Sequence, residues 1–261
     1  LDKVMVFSFF IDALKKQPLL VHGTSPRYYV INGKRKLFCS YEIGSSELFF
    51  EHQKIFLHSL GVEKKFLFRV KQVHGNYVYV LKDANISDSK VAHCEADAII
   101  THVSDCPIMV LTADCVPIII YDPIKHLAGI VHAGRIGTQK QILTKTIEAL
   151  SREYGSNPKD LIVGMGPAIR GCCYKVDEPC AQPFINKSSS YLEFVKKTEK
   201  NKFYLDLPQI NRIEGFEAGV LMKNIYTEGP CTSCENYRWY SYRKEGITGR
   251  LMTMVMLQPR K

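Results

Sequence analysis

Residues 106–134 read CPIMVLTADCVPIIIYDPIKHLAGIVHAG, and this stretch decides the fold. Residues 106–112 and 116–121 are dense in Ile, Val and Leu, which predicts buried strands. The polar step Ala113-Asp114-Cys115 separates them. Residues 127–131 form a third strand that runs directly into His132-Ala133-Gly134. A helix is expected next. Thr138, with Gln141 three positions on, resembles a capping box, and Leu143, Ile147 and Leu150 recur at helical spacing on one face. Working outward, residues 66–70, 77–81, 96–101, 161–165 and 250–257 also read as strands. Residues 46–60 read as a helix with Phe49, Phe50, Ile55, Phe56 and Leu60 on its buried face, and a further helix is expected over 210–222. Strands and helices alternate without a strict βαβ rhythm. The expectation is an α/β (mixed α+β) fold, one domain over 1–261, built as a sandwich of mixed β-sheets with helices outside.

Composition narrows the function classes. A chain of 261 residues can bury a sizeable core without staples. Its 46% hydrophobic and 23% charged content excludes disordered, collagenous and coiled-coil chains. No apolar run reaches the ~18 residues of a membrane span; the strongest, 106–121, is cut by Asp114. Leu1-Asp2-Lys3 lacks the basic-then-apolar layout of a signal peptide. The net charge of +9 (35 − 26) favours anionic partners such as phosphate or a nucleotide. The lysines are scattered, however, and no basic-aromatic element of the RNA-binding kind is present, which argues against a nucleic-acid partner. Nine cysteines without a secretory signal point to a reducing, cytoplasmic compartment. Oligomeric state is not legible.

A catalytic zinc site needs three His/Cys ligands on rigid strand ends and one open position. His74, Cys115 and His132 each lie just past or between expected strands, beside Gly75, Ala113 and Ala133-Gly134. Their separations are 41 (115 − 74) and 17 (132 − 115) residues. Those are not a local metal motif, and by pattern alone such a triplet is more often a set of unrelated residues. His93, Cys94, His102 and Cys106 flank the 96–101 strand and need not converge. Cys231-Thr232-Ser233-Cys234 is a lone C-x-x-C, read as a loop with two buried thiols. Cys172 and Cys173 are vicinal, a pair that rarely bridges comfortably. Gly164-Met165-Gly166-Pro167 reads as a strand-to-loop turn, and His22, His52, His58 and His126 as loop or helix-surface residues.

Several short motifs occur in a fixed order. They are Gln72-Val73-His74-Gly75, Thr112-Ala113-Asp114-Cys115-Val116-Pro117, His132-Ala133-Gly134, and Gly166-Pro167-Ala168-Ile169 followed by Cys172-Cys173-Tyr174. Cys231-Thr232, Ser241-Tyr242-Arg243 and Thr248-Gly249-Arg250 follow. From about Val21 to the C-terminus this ordered set resembles the laccase-domain family of purine nucleoside phosphorylases, once labelled polyphenol oxidases. The resemblance implies a zinc-dependent enzyme that cleaves adenosine, inosine and methylthioadenosine with inorganic phosphate and deaminates adenosine. It implies His74, Cys115 and His132 as Zn²⁺ ligands. It also places Arg27, at the end of His22-Gly23-Thr24-Ser25-Pro26-Arg27, on the family's early arginine. Three departures stand out: Arg135-Ile136-Gly137 occupies the place of a Trp-basic-Gly step, His52-Gln53 that of an Asn-Arg pair, and an asparagine-containing segment is not kept around residues 40–44.

For phosphorolysis, an arginine offers phosphate two parallel donors; Arg27 is the first candidate and Arg135 the second. For deamination, a divalent ion lowers the pKa of its water toward neutrality, and Asp114, next to Cys115, is the candidate acid/base. Three other readings compete. A His₂Cys set also suits Cu²⁺, as in a copper-dependent phenol oxidase, although none of the eight histidines lies two positions from another. Cys115 with His132 or His74 as base would make a thiol amidase that edits cell-wall precursors. A metal-stabilised basic binding module would have no catalytic step at all.

Overall fold

The 106–134 segment folds as three strands, Ile108–Thr112, Val116–Asp122 and Leu127–Ala133, in a computed structural model that describes residues 4–38, 46–63, 67–83 and 94–260. Residues 40–44, Phe66 and His93 lie outside the described residues. The first strand begins at Ile108 rather than residue 106 because Pro107 has no N–H for a ladder. The Pro107 carbonyl instead accepts the Phe68 N–H at 2.8 Å, and the expected 66–70 strand is reduced to a single parallel bridge, Phe68 to Ile108.

Val116–Asp122 and Leu127–Ala133 pair antiparallel at the centre of a six-stranded sheet. Ile162–Met165 and Ile225–Tyr226 extend one side, Ala98–Thr101 and Val78–Leu81 the other. The sheet is mixed: its two outermost pairings are parallel and the rest antiparallel. Both faces of the central strands are buried, and side-chain alternation sorts them. Ile118, Ile120 and Val131 pack with Leu143, Ile147, Leu150 and Ile210. These come from the helices Ile142–Tyr154 and Leu207–Glu217. Ile119, Tyr121 and Ile130 face the other way, against Ile108, Val110, Val255 and Leu257.

Those last residues belong to a second, three-stranded antiparallel sheet in the order Leu20–Thr24, Leu251–Leu257, Ile108–Thr112. Its outer face carries Met109, Met252, Met254 and Met256 onto Phe49, Phe56 and Leu57 of the helix Ser46–Ser59. The result is a mixed sheet and an antiparallel sheet face to face with helices on both outsides, the α/β sandwich that the apolar runs predict. On the Ser46–Ser59 helix Phe50 departs from the expected buried face, at 49% exposed. Among the described residues no helix is long and apolar enough to cross a membrane.

Two boundaries differ from the sequence reading. Thr138 and Gln141 form no capping box. Arg135–Gln139 is a short helix of its own, and Gln141 sits at φ 61 with no side-chain cap bond before Ile142 starts the next. The Thr138 hydroxyl accepts from Asn211 Nδ2 at 3.0 Å instead. The later helix starts at Leu207, capped by Asp206, which accepts the Gln209 N–H. It ends at Glu217, ahead of Gly219 at φ 98, a left-handed position that favours glycine.

That helix carries Glu214, only 1% exposed. One of its oxygens accepts from the Thr144 amide and hydroxyl, both at 3.1 Å. The other has no partner among the described residues. Burial pushes the Glu214 carboxyl up from 4.5 to about 7. The folded chain therefore keeps this proton over a range where the unfolded chain has released it. The group's stabilising contribution is complete below pH 4.5 and is lost as pH rises through about 7. Glu214→Gln mimics the protonated form, so it is expected to be near neutral at pH 4 and stabilising by about 3 kcal/mol at pH 8. Urea unfolding at the two pH values checks this, and equal effects at both would refute it.

Candidate functional site

The strands of the six-stranded sheet gather three ligand-type side chains at one of their ends. His74 sits in the turn before Val78–Leu81, Cys115 in the step between Ile108–Thr112 and Val116–Asp122, and His132 next to the end of Leu127–Ala133. The ligand atoms of the three lie within 4.8 Å of one another. Cys115 Sγ is 3.9 Å from His74 Nε2, and the two imidazole rings stand edge to face with centroids 4.7 Å apart. Gly134 closes the cluster from behind: a Cβ there would meet both Cys115 Sγ and His74 Cδ2 at 3.0 Å.

The backbone takes an uncommon conformation at His74 and beside Cys115: His74 has φ 58 and Asp114 has φ 89, values that few L-residues adopt. For His74 the imposing group is Asp97, fully buried at the start of Ala98–Thr101. Its carboxylate accepts the successive N–H groups of Val73 at 3.3 Å, His74 at 3.0 Å and Gly75 at 2.6 Å. It also sits 2.7 Å from His132 Nδ1, an arrangement that fixes the ring and leaves Nε2 for a ligand. Asp97 thus sets both histidines. Sequence reasoning passed over it, although one signal was present: a lone carboxylate opening an otherwise apolar strand needs a buried partner.

The electrostatics follow from this packing. Burial pushes the Asp97 carboxyl up, but the bonds from His132 and the Gly75 amide outweigh it and hold the group below the usual range. Burial likewise opposes a charged Cys115, yet His132 and His74 bring the thiol down. Cys115 and Asp97 in turn hold His132 up against its own desolvation. A thiol held low beside two imidazoles, one with its far nitrogen tied to a carboxylate, is a donor set that fits a divalent ion. It suits zinc and copper alike.

The three other predicted site residues divide. Arg135 opens the short helix after His132-Ala133-Gly134. The field of its charge is felt at Tyr174, whose hydroxyl is pushed up by burial first and then acted on by Arg135, Cys115 and Arg243. The Arg243 guanidinium lies 4.8 Å from the Tyr174 ring centroid. Arg135, Arg243 and Tyr174 therefore share the neighbourhood of Cys115. Arg27 is placed differently. It forms a two-pronged pair with Glu245 at 2.9 and 3.2 Å, donates to the Asn236 carbonyl, and covers the Tyr240 ring. Its charge is already matched, which is a poor start for a phosphate ligand. Asp114 also has both oxygens engaged: Oδ1 accepts from the Thr232 hydroxyl and Oδ2 from the Arg243 N–H, each at 2.6 Å. That arrangement holds loops in place rather than shuttling protons.

Other expectations need correction. His22, His52 and His126 are buried, not superficial. His22 accepts the Ile11 N–H at 3.0 Å, and burial brings its pKa down to about 4. His52 packs on Tyr29 and Phe38. Cys231 and Cys234 are not a lone pair, because Cys172 and Cys173 meet them. His102 meets Tyr154 at a tilt, while Cys94 and Cys106 pack against the core; the three form no ligand cluster among the described residues, in line with the sequence reading.

The family model for the multi-copper polyphenol oxidoreductase laccases matches residues 44–258. A Bacillus subtilis (strain 168) protein named purine nucleoside phosphorylase YlmD is 36% identical over 160 residues, 61% of this chain and 58% of its own length. The chain thus spans little more than half of that relative. The YlmD protein of Geobacillus stearothermophilus, which carries the same name, is 31% identical over 193 residues, 71% of this chain and 70% of its own. Among solved structures, the Bacillus licheniformis hypothetical protein YfiH superposes with a TM-score of 0.82 at 26% identity, over 92% of this chain and 93% of that one.

Proposed function

The chain belongs to the multi-copper polyphenol oxidoreductase laccase family, and we propose that it is a zinc-dependent purine nucleoside phosphorylase. In this reading it cleaves adenosine, inosine and methylthioadenosine with inorganic phosphate, and it also deaminates adenosine. The names of the relatives support the substrate class. The observation that carries the reading is the meeting of His74, Cys115 and His132 beside a tyrosine that feels both Arg135 and Arg243.

His74 Nε2, Cys115 Sγ and His132 Nε2 would hold the ion. When bound, it supplies Lewis acidity and positive charge for activating water or an anion. The remaining work belongs to the chain. Asp97 holds the proton on His132 Nδ1, so that Nε2 stays a donor to the centre. Arg243 and Arg135 present guanidinium groups suited to inorganic phosphate. The Tyr174 ring, 4.8 Å from the Arg243 guanidinium, adds an aromatic group near the same place. Asp114 acts as a positioning residue, fixing the Arg243 backbone. A reducing cytoplasm is the compartment this reading requires, because Cys115 must stay a thiolate.

The test is incubation of the purified chain with each nucleoside, with and without phosphate. Free base released only with phosphate supports phosphorolysis, and inosine formed from adenosine without phosphate supports deamination. Turnover of none of them refutes the proposal. The low-lying Cys115 thiol beside two histidines favours one second reading, a cysteine amidase. Activity of that kind would survive a chelator, whereas the nucleoside activity is expected to vanish with the metal.

A further inference from the structure

We propose that Cys172, Cys173, Cys231 and Cys234 hold a structural zinc ion, in a closed four-thiolate site separate from the His74, Cys115 and His132 centre. The four sulfur atoms lie within 4.8 Å of one another. Cys172 and Cys173 approach Cys234 at 3.6 and 3.4 Å. Tetrahedral zinc with Zn–S bonds near 2.3 Å places its sulfurs roughly 3.8 Å apart. A disulfide needs about 2.05 Å, and all four residues are free thiols. The spacing is that of ligands around a common centre, and four thiolates suit zinc, with iron the competing metal that elemental analysis tells apart.

The backbone brings the two pairs together without help from the sulfurs. Cys172 and Cys173 ride on a turn closed by the Cys173 and Tyr174 amides, which both donate to the Arg170 carbonyl at 2.9 Å. Cys231 is bridged to Ala168, and the Thr232 amide donates to the Ala168 carbonyl at 3.0 Å. The Glu235 amide closes the C-x-x-C turn on the Cys231 carbonyl at 3.0 Å. Gly229 makes this approach feasible: a Cβ there would lie 2.0 Å from the Gly166 carbonyl oxygen. The donor set is therefore preorganised, and Cys172 and Cys234 are exposed, which leaves a route for loading.

The position gives the ion a task. Tyr174 directly follows Cys173, and Thr232 directly follows Cys231 and donates to Asp114, next to Cys115. A zinc ion here would staple the Tyr174 turn to the loop that anchors Asp114, and so fix one wall of the candidate site without touching substrate.

Metal analysis of chain purified under reducing conditions from zinc-supplemented cells tests the proposal. Wild type is expected to carry two zinc ions per chain. Cys231→Ser/Cys234→Ser is expected to carry one, and Cys115→Ser one, lost from the other centre. The two centres are thus told apart, and the one-zinc difference between wild type and Cys231→Ser/Cys234→Ser holds whether or not the His74, Cys115 and His132 centre is loaded or turns over nucleosides. Should the double variant not fold, peptide mapping of wild type decides: Cys172 and Cys234, though exposed, should resist maleimide until a chelator is added. A single zinc in wild type that survives Cys231→Ser/Cys234→Ser, iron in place of zinc, a disulfide among the four, or free alkylation of Cys172 and Cys234 in zinc-loaded protein would each overturn it.

Discussion

Cys115→Ser is expected to empty the His74 and His132 centre of metal and to lower nucleoside turnover by at least about 100-fold. Groups that merely orient a metal ligand are worth 10- to 100-fold in affinity or activity, so loss of a ligand itself sets a higher floor. The serine hydroxyl nearly matches the thiol in shape but does not ionise at neutral pH, so it cannot replace a thiolate donor. Cys115 is half-buried in a turn, and the Asp97 bonds to His132 and to the His74 turn do not involve it. The variant should therefore keep its fold, with unfolding midpoints within a few degrees of wild type. Metal content, turnover and thermal unfolding measured on the same preparation check this. Full turnover by a metal-free Cys115→Ser chain would remove the centre from the chemistry altogether. His132→Ala is a less clean probe. It also empties the centre, but it strips a hydrogen-bond partner from Asp97, which is completely buried.

The fold was legible where apolar runs are long enough to have one meaning. Residues 116–121 and 127–131 could only be buried strands, and the alternation of Ile118 and Ile120 against Ile119 and Tyr121 distributes them to two cores. Boundaries were less legible where one residue overrides the pattern. Gln141 takes a left-handed backbone that its side chain does not announce, and it breaks one expected helix into two. The histidine and cysteine ligands were legible only through the order of several motifs, since 41 and 17 residues of separation encode nothing local. The partners of the charged groups were least legible. Arg27 meets Glu245 across 218 positions, and Asp114 meets Arg243 across 129. Only the three-dimensional packing shows that the first arginine is matched and that the second sits beside the candidate site. The same holds for the four clustered thiols, whose two pairs are 61 or 62 positions apart at their closest approach.

Asp97→Ala is expected to be the most damaging single substitution to fold and site together. The carboxylate is the common acceptor for three consecutive amides and the His132 imidazole. Removing one member of a buried, hydrogen-bonded charged pair typically costs 3–5 kcal/mol, because the groups left behind are desolvated and unmatched. Here the groups left behind include the backbone that holds His74 at φ 58, a conformation with nothing else evident to impose it. The His74 turn should then relax, carrying its ligand nitrogen away. Asp97→Asn separates the two roles. Its oxygen can still accept from His132 or from part of the turn, but its NH₂ group faces donors on the remaining side. This variant should fold with an intermediate loss of stability and bind zinc 10- to 100-fold more weakly than wild type. Denaturant unfolding with zinc present and absent, together with competition against a chelator of known affinity, measures both effects. If Asp97→Asn bound zinc as tightly as wild type, the carboxylate would be a structural anchor for the turn alone, and the tautomer of His132 would have to be set by some other group.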